Sequence, residues 1–293
     1  MALPPVAIVM RSKNDADRIG HTLAAVRSQD YPAPVRRIHI DSGSTDGTCR
    51  IIEESGPDEF IQIRPEEYVP GRVLNMGTKR TSEPWIVFLN SDATPVDRNW
   101  LANLVRAGLS HPRAGAVYGR QVPRPDCSAV YAHDYDRCFG PARESKDWLH
   151  FFSMASSAVK SICWAQQPFR EDLRYSEDDE WSRRIKEHGW EIVYAEDSVV
   201  MHSHNYTIPE VRRRFYGEGV ADAANLSSRT PRDYGFLRYV VLAGLRDAVK
   251  DLGYCAARGR LTEWPFAAAV RFSQRAGKRS GFLDGCKRYR KPA

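Results

Sequence analysis

Residues 1–120 alternate short apolar runs with segments whose apolar positions recur at helical spacing. Val6–Met10 (VAIVM) reads as a buried strand, and Ile19, Leu23 and Val26 follow on one helical face. Arg36–Asp41 is a second strand with Ile38 and Ile40 on one side. Ser44 or Thr45 then caps a helix carrying Ile51 and Ile52. Phe60–Ile63, Trp85–Asn90 and Gly115–Gly119 read as further strands, Val73–Arg80 as a helix, and Trp100, Leu101, Leu104 and Val105 as a helical stripe. This β-α-β-α order predicts an α/β fold, a mostly parallel sheet flanked by helices, with ligands beyond the carboxyl ends of its strands.

Later residues are less uniform. Residues 121–175 mix aromatic, proline and charged positions around an apolar stretch, Trp148–Ala158, and read as an insertion that walls a pocket. Glu177–His188 is expected to be a helix and Glu191–Val200 a strand. Thr230-Pro231-Arg232-Asp233 has a capping residue, a first-turn proline and an early acid, so it starts a helix. Leu237, Val241, Leu245, Val249 and Leu252 form its stripe, Gly253 stops it, and Thr262–Gln274 repeats the pattern weakly. The expected organisation is a catalytic domain over residues 1–205 and a helical C-terminal extension over 206–293.

Charge sharpens that division. The 293 residues carry a formal net charge of +6. Tyr206–Ala293 holds 18 Lys+Arg against 8 Asp+Glu, a charge of +10, which leaves −4 on residues 1–205. The basic balance therefore belongs to the extension and is no argument for a polyanion site on the main domain. Hydrophobic residues at 42% and charged residues at 27% exclude wholesale disorder. No apolar run reaches membrane-spanning length, and the N-terminus lacks a secretory pattern, so a cytoplasmic location is expected. The six cysteines lack metal-ligand spacing and read as free thiols.

Four constellations carry chemistry. Asn90-Ser91-Asp92 ends an apolar strand, where a carboxylate can hold a divalent cation against a diphosphate. Asp41-Ser42-Gly43-Ser44-Thr45-Asp46-Gly47 ends another strand. Asp41 can accept a base N–H there, while Asp46 suits a helix start. Glu177-Asp178-Asp179-Glu180 crowds four acids. Glu180 can pair with Arg184 at i,i+4; the remaining carboxylates either raise one another's pKa by crowding, as a general base requires, or form an acidic first turn that complements the helix dipole. His202-Ser203-His204 follows a strand, so its two rings point the same way and suit a divalent metal.

In order and spacing these segments resemble glycosyltransferase family 2, inverting enzymes with the Rossmann-like GT-A fold. The resemblance runs from Val6 to about Ala221. Val9-Met10-Arg11-Ser12-Lys13-Asn14 resembles the opening strand and loop, and Ile40–Thr48 the nucleotide-binding segment. Gly71-Arg72-Val73-Leu74-Asn75-Met76-Gly77 resembles the segment before the metal motif, Phe88–Pro95 the D-x-D region, and Glu177-Asp178 with Trp181 and Arg184 the E-D motif. Asn90 departs from the pattern, standing where the first D-x-D acid is expected. Bacterial polysaccharide enzymes of the rhamnosyltransferase kind are the most similar in pattern.

The resemblance implies a metal-dependent hexosyl- or deoxyhexosyltransferase. Arg11, Asn14, Asp41, Arg72, Asn75, Asn90 and Ser91 would line the nucleotide-sugar site. Asp92 with His202 or His204 would hold Mn²⁺ or Mg²⁺, His202 being the better match, and Asp178 beside Glu177 would be the base. The partners implied are a nucleotide-diphosphate sugar and a lipid-linked or saccharide acceptor. An anionic membrane surface suits the basic extension and would place the chain peripherally on the inner face of the cytoplasmic membrane; a solvated helical appendage or a dimer interface is the alternative for that extension, and oligomeric state is left open. Competing readings are a nucleotidyltransferase, a nucleic-acid-binding protein using Arg212-Arg213-Arg214 and the terminal basic run, and a catalytically silent relative. The first lacks a glycine-rich loop after Met10, and no nucleic-acid partner is expected.

Overall fold

The computed structural model describes residues 2–148, 151–226 and 228–289. Leu149 and His150 of the Trp148–Ala158 stretch, and Arg290 and Lys291 of the terminal basic run, lie outside the described residues. In chain order the elements are β1 (Val6–Ser12), α1 (Ile19–Arg27), β2 (Val35–Asp41), α2 (Thr48–Glu54), β3 (Glu59–Gln62), α3 (Pro70–Thr78), β4 (Trp85–Asn90), β5 (Thr94–Pro95) and α4 (Trp100–Leu109). They continue with β6 (Ala114–Val122), α5 (Ala129–Phe139), β7 (Ser156–Lys160), α6 (Ser161–Gln166), α7 (Glu177–Glu187), β8 (Glu191–Met201), α8 (Ile208–Asn225), α9 (Ala243–Ala257) and α10 (Trp264–Tyr289).

The strands form one eight-stranded sheet in the order β3-β2-β1-β4-β7-β6-β8-β5. β1 pairs in parallel with β2 and β4, β2 with β3, and β6 with β8. β7 runs antiparallel to β4 and β6, and β5 antiparallel to β8. The apolar run of β1 is buried as a central strand requires, and β2 buries Ile38 and Ile40 as its alternation predicts. Trp100, Leu101, Leu104 and Val105 of α4 are buried in the same core, and Trp100 Nε1 donates to Ser156 Oγ at 2.9 Å. The expected α/β architecture is thus present. The carboxyl ends of β1, β2, β4, β6 and β8 share one edge of the sheet, where the candidate residues are concentrated.

Residues 121–175 hold more order than their composition suggests. Ser156-Ser157-Ala158-Val159-Lys160 becomes β7, inserted between β4 and β6. Its two serines are fully buried, which a hydrophobic pattern does not anticipate.

The chain divides into two units. The first comprises Met1–Arg124, Cys138–Leu173 and Glu177–His202; the second comprises Pro125–Arg137, Arg174–Ser176 and Ser203–Ala293. The second therefore includes short stretches that the sequence pattern assigns to residues 1–205. Within it, α8 and α10 pack closely. A Cβ on Gly219 would lie 2.1 Å from the Lys278 carbonyl oxygen, and one on Gly281 would lie 1.9 Å from that of Tyr216. Arg271, 4% exposed, forks onto Asp251 at 2.7 and 2.9 Å and reaches Asp134 at 2.8 Å. Among the described residues, no helix is long and apolar enough to cross a membrane.

Candidate active site

The loops after β1 and β2 are tied together. Asn14 adopts a left-handed φ of 52°, which asparagine tolerates better than most residues. Its backbone N–H donates to Ser44 Oγ at 2.8 Å, and its side-chain oxygen accepts from the Thr45 N–H at 2.9 Å. Asp41 ends β2 with no exposed surface. Its carboxylate accepts from the Ser12 hydroxyl at 2.7 Å, the Ser44 hydroxyl at 2.6 Å and the Ser44 N–H at 2.8 Å, and these donors hold its pKa below the ordinary value despite burial. Asp46 takes the helix-start role: it accepts from the Thr48 N–H and hydroxyl at 3.1 and 2.6 Å.

The second cluster lies where β4 and β8 end. Asp92 is 6% exposed and His202 is 7% exposed, with His202 Nε2 3.5 Å from Asp92 Oδ1. The Gln121 amide NH₂ donates to Ser153 Oγ at 2.7 Å, so its carbonyl oxygen faces His202 Nδ1 at 2.8 Å. That bond places the proton on Nδ1 and turns the Nε2 lone pair toward Asp92. His204 follows two residues later along the same run of chain. One ligand atom each from Asp92, His202 and His204 lie within 4.8 Å of one another. Two imidazoles and a carboxylate suit Mn²⁺ and related divalent ions, so the donor set fits the implied metal. Asn90 accepts from Arg11 Nε at 3.2 Å through its amide oxygen. Being neutral, it leaves the Arg11 charge to another partner.

That partner is the acidic cluster at the start of α7. Arg11 Nη1 donates to Glu177 Oε1 at 3.3 Å, and Glu177 is 7% exposed. Asp178 is half-buried beside them. Burial first, and then the charge of Glu177, push its carboxyl up to about 7, against the opposing pull of Arg11. Glu180 pairs with Arg184 at 2.8 Å, the structural role its spacing predicts. Arg184 also reaches Gln167 Oε1 at 2.6 Å, and Trp181 is fully buried against Phe152 and Phe169.

Two residues expected to line the nucleotide-sugar site have other tasks. Asn75 is buried; its NH₂ donates to the Phe169 carbonyl at 2.8 Å and Glu171 at 3.0 Å, while its oxygen accepts from Trp164 Nε1 at 2.8 Å and the Phe169 N–H at 3.0 Å. All four hydrogen-bonding positions of the amide are filled, so Asn75 clamps residues 164–171 and has none left for a ligand. The Ser91 hydroxyl donates to Asp15, which likewise occupies its proton. Arg72 is exposed and lies 3.7 Å from Glu171. Asp15, Gln121 and Arg124 join the site without a motif to announce them. Asp15 has its pKa raised by burial and by nearby Asp92, and Arg124 donates to the Asp92 carbonyl. The acid one residue beyond Asn14 was the available signal for Asp15; Gln121 and Arg124 become visible only through sheet register.

Comparison with known proteins gives the family and the fold. The family model described as Glycosyl transferase family 2 matches residues 7–159, more than half of the chain. An O-antigen chain rhamnosyltransferase of Salmonella typhimurium is 28% identical over 241 residues, spanning 78% of this chain and 76% of that protein. Another, from Salmonella anatum, is 30% identical over 213 residues, spanning 69% and 66%. Among solved structures, a mannosyltransferase of Pyrobaculum calidifontis in complex with GDP-Man and Mn²⁺ superposes with a TM-score of 0.65 at 22% identity, covering 97% of this chain and 88% of that one. The chain belongs to glycosyl transferase family 2 and has the GT-A fold.

Proposed function

We propose that this glycosyltransferase moves a hexosyl or deoxyhexosyl group from a nucleoside-diphosphate sugar to an acceptor hydroxyl with inversion, using Asp178 as the base. The acceptor O–H proton passes to the Asp178 carboxylate as the oxygen attacks the anomeric carbon. The bond from that carbon to the diphosphate breaks, and the diphosphate leaves with the electron pair. No covalent sugar–enzyme intermediate forms. Asp178 suits the task because its pKa lies close to neutrality. Arg11 bridges Asn90 and Glu177 and orients the acidic pair. The Asn14–Ser44–Thr45 lock shapes the nucleotide pocket, and Asp41 exchanges a hydroxyl donor for a base N–H.

Asp92, His202 and His204 would hold Mn²⁺ or Mg²⁺, which offsets charge developing on the departing diphosphate. This ligand set, at the strand ends beside Arg11, is the observation that carries the reading. The two relatives named as O-antigen chain rhamnosyltransferases favour a deoxyhexose donor and a saccharide acceptor in surface polysaccharide synthesis. A thermal-shift panel of UDP-, GDP- and dTDP-sugars, each with and without Mn²⁺, tests it. One nucleotide class should stabilise the chain with the ion present, by about 3 kcal/mol at a hundredfold excess over Kd. No response to any donor would overturn it.

A further inference from the structure

We propose that the outward face of the helix spanning Phe236 to Leu252 docks on an anionic membrane surface. The segment opens with π-helical turns over Phe236–Leu242 and continues as α9. Its apolar residues divide between two sides. Val240, Gly244, Ala248 and Cys255 are buried. Phe236, Leu237, Leu242, Leu245 and Val249 are at least 50% exposed, and Leu252 is 37% exposed. The 3–4 residue spacing of Leu242, Leu245, Val249 and Leu252 places them on one stripe. A continuous exposed stripe of large apolar side chains on a folded helix marks an interaction surface.

Charge identifies the occupant. The only acids between Phe236 and Arg258 are Asp247 and Asp251, and both turn inward. Asp251 is held by Arg271 and His133, and Asp247 by Arg275. Arg238, Arg246, Lys250 and Arg258 are the segment's charged residues on the exposed side; of these Arg246 also reaches Asp247 at 2.8 Å and Arg258 reaches Asp136 at 2.9 Å. An apolar stripe whose own helix exposes cations and no acid, with an aromatic residue at its start, is the composition of a helix lying in the plane of an anionic bilayer. A protein partner would not require the acids to be withdrawn. The inference rests on this surface and is independent of the catalytic reading.

Flotation of the full chain with vesicles of equimolar phosphatidylglycerol and phosphatidylcholine, and with phosphatidylcholine alone, tests it. The wild type should float with the anionic vesicles and stay behind with the neutral ones. Leu245→Ser with Val249→Ser, and separately Arg246→Glu with Lys250→Glu, should each weaken anionic-vesicle binding by about tenfold or more. Leu245 and Val249 are exposed, so the serine variant's thermal midpoint should match the wild type; Arg246 also pairs with the buried Asp247, so the charge-reversed variant is assayed well below its own midpoint. Wild type left in the soluble fraction would overturn the proposal. So would flotation unchanged in both variants, or a serine variant that loses only self-association by light scattering, which would make the stripe a protein interface.

Discussion

Replacing Asp178 with asparagine should abolish transfer and stabilise the protein at the same time. The folded chain holds the Asp178 proton up to about 7, chiefly through burial and then through Glu177. The unfolded chain releases it near the ordinary carboxylate value, so the folded state binds the proton more tightly. Stability contributed by this group therefore falls as pH rises between about 4 and 7 and stays low above that. At about 1.4 kcal/mol per pKa unit the ceiling on this cost is roughly 4 kcal/mol; Arg11 and residual solvent access argue for about 2 kcal/mol. An amide in place of the carboxylate keeps the shape and removes the charge. The thermal midpoint of Asp178→Asn should therefore exceed the wild type by about 5 °C near pH 8 and match it near pH 4. Turnover with the donor identified by thermal shift should fall by about 10²–10⁴. Near-normal turnover would remove Asp178 as the base. An equal midpoint at both pH values would remove the claim that its ionisation is strained.

Other outcomes follow from the same contacts. Glu177→Gln removes the neighbouring charge and frees Arg11 to face Asp178, so the acidic limb of kcat/KM should move to lower pH by about one unit; an unmoved limb contradicts the coupling. Asp92→Ala and His202→Ala should each lose Mn²⁺-dependent nucleoside-diphosphate binding by calorimetry. Gln121→Leu should weaken it about tenfold or more by releasing His202 Nδ1, whereas unchanged affinity removes Gln121 as the orienting group. Gly281→Val pushes side-chain atoms into the Tyr216 carbonyl of α8 and should lower stability by about 3 kcal/mol or more; an unchanged thermal midpoint would mean the two helices separate freely.

The sequence is most readable where one physical cause dominates. Val6–Met10 and Trp85–Asn90 are central strands because both their faces are buried, and an unbroken apolar run announces that. Asp41, Asp92 and His202 are legible because polar groups directly after such runs fall on the carboxyl edge of a parallel sheet. β7 escapes notice because Ser156 and Ser157 are buried through pairing with strands distant in sequence. The stripe from Leu237 to Leu252 has the correct period, but period alone does not say which way the stripe faces. Here the inward side is formed by Gly244, Ala248 and the ion-paired Asp247 and Asp251. Asn75 sits in a family-like segment, yet its amide is consumed by residues 164–171, a contact visible only in three dimensions.

The central claim is single displacement of a sugar from a nucleoside diphosphate with Asp178 as the base. Its most direct test is proton NMR of the anomeric centre in the product formed from the responding donor, Mn²⁺ and a saccharide acceptor. The product should be a glycoside of configuration opposite to the donor, with nucleoside diphosphate released in equal amount, and Asp178→Asn should form it more slowly by about 10²–10⁴. Retained configuration, or the same product at the same rate from Asp178→Asn, would contradict it.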